Sequence, residues 1–186
     1  MEASNAPSRR PIALVTGANS GVGLALVQRL LITYGAEMIV IMACRNPTKA
    51  ESAREFVIES YFGKNRKLGL EVVQLLQVDL TDLASVQRAC QDFRQRYAWT
   101  FSQCLPLKAN ITSRFNRLDL LYCNAGYYPV LRVDWLKSVY DLIFNAKEVF
   151  STGGDCIIQN VGETTKDGLG TTFAANVLGH YVMVRL

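Results

Sequence analysis

Thr16-Gly17-Ala18-Asn19-Ser20-Gly21-Val22-Gly23 lies between a short apolar run, Ile12 to Thr16, and a nearly continuous apolar stretch, Gly21 to Tyr34. The first run is brief and closed by a glycine, which reads as a buried strand, and the second reads as a helix that packs against a sheet. Glycines at 17, 21 and 23 permit a sharp turn and close backbone approach. The helix start then offers free N–H groups and a positive dipole end to a pyrophosphate. A glycine-rich turn alone is weak and could be a tight turn with no ligand. Strand before it and helix after it make the context that a dinucleotide site requires. Gly17, Asn19, Ser20, Gly21, Val22 and Gly23 are accordingly assigned to cofactor binding.

Outward from this loop the chain alternates. Glu37 to Ala43 reads as a second strand, and Pro47 sits where a helix begins, running to about Tyr61. A basic, glycine-bounded loop, Gly63 to Gly69, precedes a third strand, Leu70 to Val78. Asp82 is the expected N-cap of a helix whose Val86, Cys90, Phe93 and Tyr97 share one face. Leu118 to Cys123 reads as a fourth strand and Leu169 to Leu186 as a closing helix. Strands joined by helical crossovers imply an α/β fold, a Rossmann-type doubly wound parallel sheet, incomplete at the C-terminus. The expected organisation is a flexible segment over 1–11 and a dinucleotide-binding domain over 12–186. Two irregular stretches interrupt it, Thr100 to Arg117 and an insertion over about 127–168.

Composition limits the function classes. Of 186 residues, 49% are hydrophobic and 19% charged, the balance of a globular domain. The net charge of +4 comes from scattered basic residues, which argues for a mixed solvated surface and against nucleic acid as a partner. Five cysteines, none spaced as C-x-x-C, and a single histidine argue against a metal site or a disulfide framework. Cys44, Cys90, Cys104, Cys123 and Cys156 point to a reducing compartment, three of them in apolar surroundings. The polar N-terminus lacks the apolar segment of a signal peptide, and no stretch reaches 18 uncharged apolar residues. His180 reads as structural.

The end of the second strand selects the dinucleotide. An acid there suits a ribose 2′-hydroxyl, and a basic residue suits a 2′-phosphate. Ile41-Met42-Ala43-Cys44-Arg45-Asn46 contains no acid and one arginine, whose guanidinium grips phosphate bidentately. NADP(H) is the expected cofactor, through Arg45.

The spacing of Gly17, Gly21 and Gly23 resembles the T-G-x-x-x-G-x-G motif of the short-chain dehydrogenases/reductases. Three further stretches extend the resemblance to the end of the chain. Asp79-Leu80 follows the third strand, where similar proteins contact the adenine. Asn124-Ala125-Gly126 follows the fourth strand, as does the family's N-A-G motif, which braces the sheet and borders the cofactor. Asn176, within Phe173-Ala174-Ala175-Asn176-Val177-Leu178-Gly179-His180, matches the catalytic asparagine, whose implied role is to hold a water in the proton relay. Ala43-Cys44-Arg45-Asn46, Leu121-Tyr122-Cys123-Asn124-Ala125-Gly126, the insertion and Thr164 to Gly179 look most like the 3-ketosteroid (3-ketosterol) reductases of sterol biosynthesis. That resemblance implies NADPH-dependent reduction of a 3-keto sterol or steroid, in an ergosterol-type pathway. It also implies contact with other sterol-pathway enzymes, at the cytosolic face of the endoplasmic reticulum or lipid droplets.

In that family a serine and a Y-x-x-x-K pair follow the asparagine. Here ten residues follow Asn176, and Tyr128-x-x-x-Arg132 and Tyr181-x-x-x-Arg185 carry arginine in the wrong places. A fragment of a full reductase is the favoured expectation, supported by an end inside an apolar helix. A non-catalytic nucleotide-binding product stays open, as does a reductase of another lipid carbonyl such as retinal. In the insertion, Trp135, Leu136, Val139, Tyr140, Leu142, Ile143, Phe144, Val149 and Phe150 form an amphipathic pattern. It is either a lid or membrane-facing surface, through 130–150, or a helix packed on the domain.

Overall fold

The computed structural model describes residues 10–98, 118–147, 149, 157–160 and 162–185. The Thr100–Arg117 stretch, Cys104, Phe150, Cys156, Leu186 and most of the N-terminal segment lie outside the described residues.

Four strands form one parallel sheet: β1 (Ile12–Thr16), β2 (Ile39–Cys44), β3 (Val73–Gln77) and β4 (Leu120–Tyr122). Their order across the sheet is β3-β2-β1-β4, so β1 is central. Every residue of β1 is buried. This follows from having helices on both sides, which turns the usual alternation into a continuous apolar run. Ala13, Val15, Val40 and Met42 face one core with Val27, Leu30 and Val57, from α1 (Gly21–Tyr34) and α2 (Pro47–Phe62). Ile12, Leu14, Ile41 and Ala43 face the other with Val86 and Ala89 of α4 (Leu83–Ala98). The expected doubly wound α/β arrangement is the observed one.

Register places the site. Thr16 pairs with Ala43, and Gly17 N–H reaches the Ala43 carbonyl at 2.8 Å, so the glycine loop leaves β1 level with the end of β2. Asn124 follows β4 at the same sheet edge. The carboxyl ends of β1, β2, β3 and β4 therefore open onto one crevice.

Several boundaries differ from those expected. The basic loop and the start of the third strand are a helix, α3 (Arg66–Val72), and β3 is shorter. The Asn65 side chain caps α3 by accepting from Leu68 N–H at 3.3 Å, and bare Gly69 lets the helix lie on Ile58, where a Cβ would come within 2.6 Å of Cγ2. β2 starts at Ile39 because Gly35–Glu37 forms a 3-10 turn. The closing helix, α6, runs over 171–185, and Ala174–Leu178 inside it makes a wider π turn.

The insertion is structured. β5 (Val130–Val133) pairs antiparallel with β6 (Ile157–Gln159), and between them lies α5 (Trp135–Phe144), capped by Asp134 accepting from Lys137 N–H at 3.1 Å. No residue of α5 is buried, with Trp135 73% and Leu136 87% exposed, so the packed-helix alternative does not hold.

The returning chain is pinned to the start of α4. Asp82 Oδ1 accepts from Ala84 N–H at 3.1 Å, the expected cap, while Asp82 Oδ2 receives Lys166 Nζ at 2.6 Å. Asp167 Oδ2 accepts from Leu83 N–H at 3.2 Å. The Lys166 contact, followed by the backbone donors, holds the Asp82 carboxyl below its ordinary value of 3.8. A depressed carboxyl adds stability that is present above its unfolded value and lost as the pH falls through its folded one. Asp82→Ala should cost about 1 kcal/mol in urea unfolding at neutral pH, as other lost N-caps do. The gap between wild type and variant should shrink as the medium is acidified below pH 3.8.

Candidate functional site

A crevice of about 290 Å³ lies at the carboxyl ends of the strands. Gly17 and Asn19 line it from the glycine loop, Arg45, Asn46 and Lys49 from the end of β2, Val78 to Thr81 from the end of β3, and Ala125 to Tyr127 from beyond β4. The crevice thus gathers seven of the residues assigned from sequence: Gly17, Asn19, Arg45, Asp79, Leu80, Ala125 and Gly126. Ser20, Gly21, Val22, Gly23, Asn124 and Asn176 do not line it, though Ala175 does.

Each wall has a local cause. Gly17 has φ +66°, and a Cβ there would lie 2.9 Å from Ala125 Cα. At Gly23 a Cβ would sit 2.4 Å from Gly17 O and 2.5 Å from Asn124 Nδ2. Only bare glycines let the loop, the first turn of α1 and the segment after β4 come together. Ser20 makes no side-chain cap, and no acid stands in the first turn of α1, so side chains leave the helix's first N–H groups to a ligand.

Beneath the loop Thr16 organises the rest. Its buried hydroxyl accepts from Asn124 N–H at 2.9 Å and from Ala125 N–H at 2.9 Å. Asn124 Nδ2 returns a bond to Thr16 O at 3.0 Å. The same hydroxyl lies 2.9 Å from His180 Nε2. The amide of Asn176 closes reciprocally on the Tyr127 backbone, accepting from its N–H at 2.6 Å and donating to its carbonyl at 2.9 Å. Asn176 therefore fixes the wall segment from the α6 side, and its side chain is committed to that pairing.

The charged groups face the crevice from two sides. Arg45 and Lys49 are exposed, and among the described residues neither forms a salt bridge. Lys49 sits in the first turn of α2, one helical turn beyond Arg45, a spacing visible in the sequence that the sequence reading passed over. Asp79 Oδ1 accepts from Thr81 N–H at 2.9 Å and from its hydroxyl at 2.7 Å, which sets the carboxyl's orientation at the rim. The Tyr127 hydroxyl donates to Glu163 Oε2 at 2.6 Å, and that bond raises its pKa above the ordinary 10.0. Cys44 lies buried beneath the loop, and desolvation pushes its thiol up.

Comparisons with known proteins bear on the family and the fold. The family model described as the KR domain matches residues 12–104, half of the chain. The chain is 33% identical to the 3-keto-steroid reductase erg27 of Schizosaccharomyces pombe over 95% of its length and 47% of the relative's. It is 34% identical to the human 3-keto-steroid reductase/17-beta-hydroxysteroid dehydrogenase 7, over 95% and 44% respectively. The chain thus spans about half the length of the curated relatives it matches. Among solved structures, menthone neomenthol reductase from Mentha piperita superposes with a TM-score of 0.62 at 20% identity, over 95% of this chain and 54% of that one. NADPH-bound carbonyl reductase from chicken fatty liver gives a TM-score of 0.53 at 19% identity, over 95% and 49%. Both show the same fold.

The Thr16 hydroxyl is the group whose removal should cost most. Thr16→Val leaves two backbone N–H groups without their acceptor and should lower stability by about 2 to 6 kcal/mol, since each buried orphan costs roughly 1 to 3. Thr16→Ser keeps the hydroxyl and should recover most of that loss. Urea unfolding of the two variants checks this.

Proposed function

Because this chain belongs to the short-chain dehydrogenase/reductase family, through the KR domain that its first half matches, we propose that it is the NADP(H)-binding part of a reductase acting on a 3-keto sterol or steroid. The observation that carries the reading is the joining, in one crevice, of the bare glycine loop, the exposed cations Arg45 and Lys49, and the Asp79 and Ala125–Gly126 rims. These residues fit a phosphorylated dinucleotide. The close approach of the crevice walls requires that Gly17 and Gly23 lack side chains, and Arg45 and Lys49 beside the end of β2 support a 2′-phosphate there.

When bound, NADPH supplies hydride to the ketone. The chain's own residues bind and orient. N–H groups at the start of α1 receive the pyrophosphate, with Asn19, Ser20 and Val22 around it. Arg45 and Lys49 together hold the 2′-phosphate, and Asp79 and Leu80 border the adenine. Asn124, Ala125 and Gly126 keep the nicotinamide half against the sheet edge, while Asn176 steadies that wall through Tyr127. The reduction itself is proposed for a protein of its relatives' length, and NADP(H) binding is proposed for this chain. The similarity to the fission yeast and human 3-keto-steroid reductases supports the 3-keto-steroid substrate.

Among the described residues no helix is long and apolar enough to cross a membrane. The exposed apolar face of α5, with the Tyr140 and Phe144 rings tilted against each other at 4.8 Å between centres, supports instead a contact with a membrane surface. That contact would hold the whole protein at the endoplasmic reticulum or lipid droplets, on the cytosolic side, beside other sterol-pathway enzymes.

Two outcomes follow. Titration of this chain with each cofactor, read by quenching of protein fluorescence, should show tighter binding of NADPH than of NADH. Arg45→Glu should weaken NADPH about tenfold or more and spare NADH, as expected for one lost charge-assisted pair. Equal loss for both cofactors would sink the 2′-phosphate assignment. In liposome flotation, Trp135→Glu with Leu136→Glu should remove vesicle binding without altering NADPH affinity, and unchanged flotation would dismiss the membrane contact.

A further inference from the structure

His180 is buried between β1 and the π turn that carries Asn176. Its two ring nitrogens meet different partners. Nε2 lies 2.9 Å from Thr16 Oγ1, and Nδ1 lies a longer 3.5 Å from the Asn176 carbonyl. Counting protons decides which nitrogen is protonated. A threonine hydroxyl has one proton and two lone pairs. Both lone pairs of Thr16 are engaged, by the N–H groups of Asn124 and Ala125. A proton on Nε2 would press against an oxygen with nothing left to offer. Thr16 must instead donate, and Nε2 at 2.9 Å is better placed than the Tyr122 carbonyl at 3.3 Å. The ring proton is then on Nδ1, aimed at the Asn176 carbonyl. The opposite tautomer fails at both ends, because it would also set the Nδ1 lone pair against that carbonyl oxygen.

We propose that His180 is a positioning residue for the dinucleotide site. Held neutral with its proton on Nδ1, it links the loop after β4, the end of β1 and the Asn176 turn in a single hydrogen-bond relay. The relay runs from the Asn124 and Ala125 N–H groups to Thr16, from the Thr16 proton to Nε2, and from Nδ1–H to the Asn176 carbonyl. It joins three segments far apart in sequence, and each contributes to the crevice wall, through Thr16, Ala125 and Ala175. Its consequence for cofactor affinity rests on the NADP(H) reading above, and the relay itself does not.

Burial supports the neutral form by lowering the imidazole pKa below its ordinary 6.5, opposed by the Asn176 carbonyl. The titratable and charged groups on the surrounding elements include Tyr122 in β4 and Cys123 after it, Asp79 beyond β3, Asp82 at the start of α4, Arg88, Cys90, Asp92, Arg94 and Arg96 on α4, and Tyr181 and Arg185 on α6. None of them contributes to that shift, so it is set by burial and the one carbonyl. A lowered histidine pKa leaves stability intact above the unfolded value and erodes it as the pH falls below 6.5. Protonated Nε2 can no longer accept from Thr16, so the same acidification should loosen the crevice wall.

The chain has one histidine, so its imidazole gives a single unambiguous set of signals. Long-range proton–nitrogen NMR of the cofactor-free, nitrogen-15-labelled chain above pH 6.5 should show a pyrrole-like Nδ1 and a pyridine-like Nε2. The reverse pattern, or an imidazolium, overturns the proposal whatever the protein binds. NADPH titrations across the same pH range should show wild-type affinity falling several-fold on acidification. His180→Gln should make that profile shallower, because its amide oxygen can accept from Thr16 and does not titrate, which leaves only the titration of the cofactor's own phosphate. A His180→Gln profile as steep as that of the wild type overturns the positioning role. A chain with the expected tautomer that binds no NADPH refutes the proposed function and leaves the relay standing. Should His180→Gln fail to fold, the tautomer in the wild-type chain decides.

Discussion

One hydroxyl at the end of the central strand sets the geometry of this site. Thr16 takes two N–H bonds from the segment after β4 and faces His180 on α6, while its own carbonyl receives the Asn124 amide. A strand end normally leaves such groups to water. Here water is excluded, so each must find a protein partner or cost stability. Satisfying them draws the loops after β1 and β4 into contact, and that contact tolerates no side chain at Gly17 or Gly23. The open crevice is a by-product of this closure.

The sheet makes the arrangement possible. With helices on both faces, β1 is buried throughout and cannot shift in register without moving apolar residues from one core to the other. A rigid central strand means that the glycine loop, the basic end of β2 and the rim after β3 keep fixed separations. The insertion attaches differently. No residue of its α5 is buried, and the returning chain is held by polar contacts, Lys166 on Asp82, Asp167 on Leu83 and Tyr127 on Glu163. Polar tethers at a solvent-exposed rim are weaker than a shared apolar core, so this part of the molecule is suited to presenting a surface more than to supporting the fold.

Much of the architecture was legible because the relevant signals are local. The runs Ile12–Thr16 and Ile39–Cys44 are short, apolar and bounded, and Pro47 and Asp82 mark helix starts by side-chain chemistry alone. The misread segment, Arg66–Val72, carries glycine and three basic or acidic residues, which look like a loop one residue at a time. It is a helix because Asn65 caps it and Ile58 of α2 packs against it, a contact no local pattern announces. The π turn at Ala174–Leu178 was invisible for the same reason.

For the site, the sequence by itself determined the glycine loop, the basic residue after β2 and the order of the motifs, because each depends on residues adjacent in the chain and on a turn or strand end that they specify directly. Lys49 was also written there, at helical spacing from Arg45. Only the tertiary structure decided that Thr16, Asn124, Asn176 and His180 form one network, since these residues lie up to 164 positions apart and a buried hydroxyl chooses its partners from whatever the packed sheet and helices bring within reach. Local chemistry names the groups, and burial decides which of them must meet.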